Sequence, residues 1–161
     1  MRSALTRTTA GIILAFMILL VGCASKTTEH AQHQLPNGDL QETTTSLSTL
    51  PTFLDQASDT IRSAYKTAST VKDSLPYIPC YCGCAESADH KSNLNCFINE
   101  IKEDGSVVWD DHGTRCGVCI EIATTTAQLK EKGMSDQDIR TYIDKTYAEG
   151  YAAPTPTPMP S

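Results

Sequence analysis

The sequence predicts a mainly α fold: a small three-helix domain with a short β-hairpin and a Cys-rich centre, flanked by a disordered N-terminal tether and a Pro-rich tail. Three observations carry that expectation. Apolar residues recur at three- and four-residue steps in three separate stretches, the period of an amphipathic helix. The pair Asp104-Gly105 sits between two short apolar runs, the signature of a hairpin turn. Six of the 7 cysteines fall between positions 80 and 119, three of them at alternate positions in Pro79-Cys80-Tyr81-Cys82-Gly83-Cys84.

Residues 1–22 are set apart from the fold. Arg2 and Arg7 form a positive start, residues 10–21 are almost unbrokenly apolar, and small residues follow. That is the pattern of a secretory signal peptide, too short for a spanning helix. Leu20-Val21-Gly22-Cys23 looks like a bacterial lipobox, which makes Cys23 the lipidated, palmitate-bearing first residue of the mature chain. The expected location is the cell membrane, lipid-anchored, on its extracytoplasmic face, since multiple acyl chains hold stably where one does not. Residues 1–22 carry two of the 13 basic residues and none of the 19 acidic ones, so their removal moves the net charge from −6 to −8. An acidic surface argues against nucleic acid and anionic lipid as partners. Residues 23–49 then form the lipid anchor and a flexible tether. Thr, Ser, Gln and His dominate there, with too little apolar surface to offset the entropy of ordering. His30 and His33 lie in this tether and make no closed metal site by themselves.

Order is expected from Leu50-Pro51 onward, in a domain over residues 50–150. Leu54, Ala57, Ile61, Ala64, Tyr65, Ala68, Val71 and Leu75 mark a helix over residues 53–75, with Pro51 near its first turn and Leu75-Pro76 as its stop. This helix delivers the chain to the cysteine run. Ser92 is a candidate N-cap for a short turn through Leu94. The hairpin, residues 97–101 and 107–109, must pack on the helices, because a two-stranded ribbon is marginal alone. A second helix starts near Arg115 or Cys116, with Cys119, Ile122, Ala123, Thr126 and Ala127 on one face and Gly133 as its natural end. Ser135 and Asp138 resemble a capping box for a third helix, residues 136–148, with Ile139, Tyr142, Ile143 and Tyr147 inward. Alternate prolines from Pro154 to Pro160 make residues 151–161 a disordered or polyproline tail.

The chemistry lies in Cys80, Cys82, Cys84, Cys96, Cys116 and Cys119, with His90 and His112 set among them. Next-but-one cysteines meet disulfide geometry only with strain, because the bond needs Cα atoms roughly 4.4–6.8 Å apart and a particular torsion. Outside the cytoplasm an even count suggests three bridges, and six cysteines allow about 15 pairings. That gives one reading, a disulfide-stapled binding module without catalysis. A second is metal binding. Six thiolates and two imidazoles supply two tetrahedral sites or one thiolate-bridged cluster, and thiolate-rich sets select Zn²⁺, Cu(I) or Fe–S over Ca²⁺ or Mg²⁺. Cys116 and Cys119 would meet the positive end of a helix, which favours the thiolate, while Gly83 lets the backbone turn so that Cys82 and Cys84 face one ion. A third is thiol–disulfide exchange through Cys116-x-x-Cys119, although no βαβ framework for it is legible. Tyr81 and Trp109 read as walls that exclude water. There is no nucleophile–base–oxyanion set, phosphate loop or basic groove, which argues against an ordinary hydrolase or transferase. The leading expectation is a zinc or copper(I) protein serving metal handling or holding a structural ion, with a metal-transport or redox protein as its partner.

Leu50-Pro51-x-Phe53-Leu54, the hexapeptide from Pro79 to Cys84, His90-x-Ser92, Cys96-Phe97, His112-Gly113 and Cys116-x-x-Cys119 together resemble the bacterial lipoproteins named for a PCYCGC motif. The resemblance covers about residues 50–148 and implies an extracytoplasmic lipoprotein; it implies no particular chemistry. The Cys-x-Cys-Gly-Cys run, with Gly133-Met134-Ser135 and Ile139-Arg140 near the end, is also similar to the small helical thiol proteins of cytochrome c maturation. Those reduce apocytochrome thiols with a single Cys-x-x-Cys, a pattern from which six thiols depart.

Overall fold

The computed structural model describes residues 29–161. The expected signal peptide, residues 1–22, and the lipidation site Cys23 lie outside the described residues. Within them, a four-stranded antiparallel sheet and four α-helices share one core. The strands are β1 (Ala31–Gln34), β2 (Leu40–Thr44), β3 (Ile98–Ile101) and β4 (Val107–Asp110), in the spatial order β1-β2-β4-β3. The helices are α1 (Asp59–Thr70), the single turn α2 (Cys84–Ser87), α3 (Gly117–Glu131) and α4 (Asp136–Thr146). Among the described residues, no helix is long and apolar enough to cross a membrane.

The expected hairpin is present as β3 and β4. Gly105 takes a φ of 84° in its tight turn, and the Gly105 N–H donates to the Lys102 carbonyl. It belongs to a larger sheet than the sequence suggested, which corrects the mainly α expectation to a mixed α and β fold. The two additional strands come from the segment expected to be tether. β1 and β2 form a hairpin that docks on β4, with Glu42 opposite Trp109 and Thr44 opposite Val107. Composition hid this hairpin because polar bonding replaces apolar burial there. Glu42 is fully buried and accepts from Thr52 N–H at 2.6 Å, Thr52 Oγ1 at 2.9 Å, Gln32 Nε2 at 2.9 Å and His30 Nδ1 at 2.5 Å. Thr44 Oγ1 accepts from the buried Trp109 indole at 2.8 Å. Satisfied buried polar groups cost far less than orphaned ones, so a polar strand holds its place in the sheet.

The first long helix is shorter than its periodicity implies. Residues Thr52–Leu54 form a separate 3₁₀ turn, and α1 begins only after Ser58, whose hydroxyl accepts from Ile61 N–H. It ends at Thr70, and Leu75–Tyr77 is a second 3₁₀ turn around Pro76. Ala64, Tyr65 and Ala68 face the core, where the Tyr65 ring meets Phe97 edge-on at 5.1 Å and lies 6.2 Å from Trp109. Such aromatic pairs contribute about 0.5–1.5 kcal/mol beyond their burial. Two helix ends follow the sequence closely. Gly133 (φ 81°) closes α3, with the Met134 N–H reaching the Leu129 carbonyl and the Gly133 N–H that of Lys130, a Schellman arrangement. Ser135 caps α4 by accepting from Asp138 N–H. On α4, Ile139, Ile143 and Tyr147 are inward as expected, but Tyr142 is 48% exposed and Arg140 takes the buried place.

Arg140 is buried because it has partners: the Asp144 carboxylate, and the carbonyls of Tyr77, Thr157 and Pro158. This corrects the free-tail expectation. Residues 152–161 form no helix or strand, yet Thr155 N–H donates to the Cys80 carbonyl while Cys80 N–H donates to Thr155 Oγ1. Ala152 N–H adds a bond to the Tyr81 carbonyl, and Thr157 Oγ1 one to that of Lys91. The tail is a strap along the cysteine run.

Candidate metal centre

The hexapeptide leaves the 3₁₀ turn at Tyr77 and runs under the tail. Gly83 sits at φ 87°, a left-handed conformation that strains any other residue, and an added Cβ would meet nothing nearer than Ala152 Cβ at 3.8 Å. The constraint at Gly83 is torsional, and it turns the chain so that Cys80, Cys82 and Cys84 all point to one region, their sulfurs within 4.8 Å of one another. Asn93, fully buried, ties the pieces together: its N–H donates to the Ile78 carbonyl and its Nδ2 to the Cys119 carbonyl at 3.3 Å. Cys116 is the N-cap of α3, and its sulfur accepts from Cys119 N–H at 3.3 Å. Gly113 lets the 3₁₀ turn Asp111–Arg115 pass against Cys96, since a Cβ there would lie 2.7 Å from the Phe97 ring and 2.8 Å from the Cys96 carbonyl oxygen.

These elements bring together all six thiols that the sequence singled out. Cys119 Sγ is at the middle, 2.9 Å from Cys116, 3.2 Å from both Cys80 and Cys96, and 3.6 Å from Cys82. Cys80 lies 3.3 Å from Cys82, and Cys84 lies 3.9 Å from Cys96. All six cysteines are free, and no pair is near the roughly 2.05 Å of a disulfide bond. Sulfurs each about 2.3 Å from one tetrahedral ion would stand about 3.8 Å apart, the scale of the wider separations.

Both histidines join the set. His90 Nδ1 is 3.5 Å from Cys96 Sγ, and His112 Nε2 is 4.0 Å from Cys82 Sγ; the two rings meet edge-on at 4.7 Å. Two groups of four emerge with every ligand atom within 4.8 Å of the others: Cys82, His112, Cys116 and Cys119, and Cys84, His90, Cys96 and His112. Four soft or borderline donors at this spacing can hold a metal ion.

Asp39 is the residue that sequence reasoning missed. It lies in the β1–β2 loop, 3% exposed, with its carboxylate 3.2 Å from His112 Nδ1. It also accepts from Arg115 Nη2 and from Asn37 Nδ2 at 2.8 Å. A carboxylate on one imidazole nitrogen fixes the tautomer and turns the other nitrogen's lone pair toward the ligand position. The only signal in the sequence was an acid in an Asn-Gly-Asp turn, with nothing to connect it to His112.

Electrostatics divide the thiols. Hydrogen bonds from Cys116, Cys119 and Cys80 hold the Cys82 thiol well below its ordinary range. Cys116 is lowered to about 7, chiefly by Cys119 and then Cys80, with the Cys119 backbone N–H adding to this. Contacts with the thiolates Cys116, Cys82 and Cys84 push Cys80 up, as contacts with Cys116, Cys80, Cys82 and Cys84 push up Cys119; burial adds in both. His112 is raised to about 9, first by the Cys82 sulfur, with burial opposing and Asp39 reinforcing. A lowered thiol beside a raised imidazole favours a thiolate–imidazolium pair, whose proton a bound cation would displace.

Tyr81 and Trp109 are both buried. Trp109 fills the core below the sheet, and Tyr81 stacks on Tyr147 at 5.5 Å and donates to Asp144 at 2.6 Å. The family described as protein of unknown function with PCYCGC motif matches residues 12–160, a longer span than the motifs alone indicated. No curated protein and no solved structure matches the chain.

Proposed function

The chain belongs to the PCYCGC-motif family, and from that premise we propose that it binds a soft or borderline metal ion, Zn²⁺ or Cu(I), through its clustered Cys and His and hands it on. The observation that carries this reading is the convergence of six unbonded sulfurs, neighbouring ones 2.9 to 3.9 Å apart, with two imidazoles beside them. Thiolate and imidazole donors select such ions over Ca²⁺ or Mg²⁺. Handling is favoured over a sealed structural ion by one open edge. Cys80, Cys84, Cys96 and Cys119 are fully buried, whereas Cys82 and Cys116 are half-buried and adjoin His112. An acceptor protein's thiol reaches that edge first.

The lipobox-like Leu20–Cys23 run and the apolar stretch before it support attachment by a palmitate-bearing Cys23 at the extracytoplasmic face of the cell membrane. There a metal-transport or redox protein is the fitting partner, and the acidic charge disfavours nucleic acid. The test is metal and thiol analysis of the full chain purified from membranes, with and without reductant. Stoichiometric zinc or copper is expected. Absence of metal together with absence of free thiols would overturn the reading.

A second reading rests on Cys116 and Cys119, the nearest sulfur pair at 2.9 Å, with Cys116 lowered to about 7 and half-buried. In thiol–disulfide exchange the Cys116 thiolate attacks a partner disulfide and releases one partner thiolate. Cys119 then displaces the second, leaving Cys116–Cys119 oxidised and the partner reduced. Cys119→Ser is expected to trap the mixed disulfide if this path operates.

A further inference from the structure

We infer that the thiol centre holds two ions, not one, in two adjoining Cys₃His sets. This rests on the metal-binding reading above and goes beyond it in stoichiometry and in the assignment of donors. The first set is Cys82, Cys116, Cys119 and His112, whose ligand atoms lie within 4.8 Å of one another. The second begins with Cys84, Cys96 and His90, which also lie mutually within 4.8 Å. His112 is near both, yet it can serve only one. Its Nδ1 faces Asp39 at 3.2 Å, which leaves Nε2 as the free nitrogen, and Nε2 lies 4.0 Å from Cys82. The place beside Cys84 and Cys96 that His112 leaves open falls to Cys80, whose sulfur is within 4.8 Å of each.

Charge supports the division. A single tetrahedral ion takes four donors. It would leave four others idle, at least two of them thiols in a site where Cys80, Cys84, Cys96 and Cys119 are all fully buried. Unpaired charge is expensive to bury, and idle thiols would have to stay protonated. Two divalent ions use all eight donors and neutralise most of the six thiolate charges. The sets meet at Cys119, whose sulfur is 3.2 Å from Cys80 and from Cys96 across the seam, so the two sets adjoin there. An imidazole in each set suits Zn²⁺.

The test is titration of the full, reduced, metal-free chain with Zn²⁺ and, in parallel, with Co²⁺, whose thiolate charge-transfer absorbance reports each sulfur-bound ion. Saturation at two equivalents is expected. His90→Ala and His112→Ala are each expected to weaken one equivalent at least tenfold and leave the other in place. Saturation at one equivalent, or at more than two, in the unaltered chain overturns the two-ion assignment while leaving metal binding intact. No binding at all overturns both readings. Loss of both equivalents in a His90→Ala chain that keeps its native circular dichroism also overturns the division into two sets. The unaltered chain's stoichiometry decides the matter even where a variant fails to fold.

Discussion

Replacing Asp39 by asparagine probes how His112 is aimed. The carboxylate sits 3.2 Å from His112 Nδ1 and is almost wholly buried, so water cannot take its place. Carboxylate partners of ligating histidines contribute about 10–100-fold in metal affinity, which is about 1.4–2.7 kcal/mol. A second effect opposes the first. His112 titrates near 9, raised by the Cys82 sulfur and then by Asp39 against burial, so at neutral pH an incoming ion must displace its proton. Asp39→Asn lowers that pKa and eases the displacement. The aiming effect is read cleanly at about pH 9.5, where the imidazole is mostly neutral in both proteins. Competition against a chromophoric zinc chelator is expected to show a 10–100-fold weaker variant there, with the gap narrowing toward pH 7. The fold survives, since Arg115 is half-exposed and keeps Asp111 at 2.6 Å, so its guanidinium stays paired and solvated once residue 39 is neutral. Equal affinity at pH 9.5 in a natively folded variant would refute the claim that Asp39 sets His112.

Glu42→Gln is expected to cost about 1–3 kcal/mol in urea denaturation at pH 7, because one acceptor oxygen becomes a donor facing other donors. Burial pushes the Glu42 carboxyl up, but bonds from Thr52 N–H, His30, Gln32 and the Thr52 hydroxyl outweigh it and leave the folded value below 4.5. A lowered carboxyl stabilises above its unfolded pKa and loses that stabilisation as pH falls through the folded value. The gap between wild type and variant therefore shrinks in acid; a gap independent of pH would contradict this. Gly113→Ala forces a Cβ onto the Cys96 carbonyl and the Phe97 ring, at 2.8 and 2.7 Å, with an expected loss of about 1–3 kcal/mol. Its zinc affinity falls as well, because Cys96 is displaced; unchanged thermal stability would argue against the close approach. Deleting residues 153–161 removes both Thr155 bonds to Cys80. Mass-mapped alkylation of the metal-free chain should then be faster at Cys80 than at Cys84, and equal protection before and after deletion would count against the strap.

What was legible in the sequence was what depends on neighbours along the chain. Ser135 and Asp138, Gly133, the Asp104-Gly105 turn and the torsion at Gly83 all act within a few residues, and each is found where local chemistry puts it. The eight cysteine and histidine side chains that cluster were legible too, because so many thiols at such spacing drew the eye to one centre. Hidden were the features made by distant partners. The periodicity over residues 53–75 ran through two 3₁₀ turns, since core contact continues along an irregular backbone as well as a regular one. β1 and β2 carried no apolar signal, because Glu42 and Thr44 are held by hydrogen bonds from Thr52 and Trp109. Arg140 carried no inward signal in the sequence; only the tail and Asp144, brought alongside, make its burial cheap.

The strap has a consequence for the order of events in assembly. Asp39 touches His112 from near the start of the described chain, and Thr155 grips Cys80 from near its end. A chain made from its N-terminus exposes Cys80, Cys82 and Cys84 long before Cys116, Cys119 or Thr155 exist. On the metal-binding reading, an ion met at that moment finds three thiols on an unanchored segment, and its remaining donors arrive only with His90, Cys96, His112, Cys116 and Cys119. Joining Asp39 to His112 and Thr155 to Cys80 closes long loops, which slows folding. On the metal-binding reading, the surroundings in which these distant segments meet decide which ion the cluster takes.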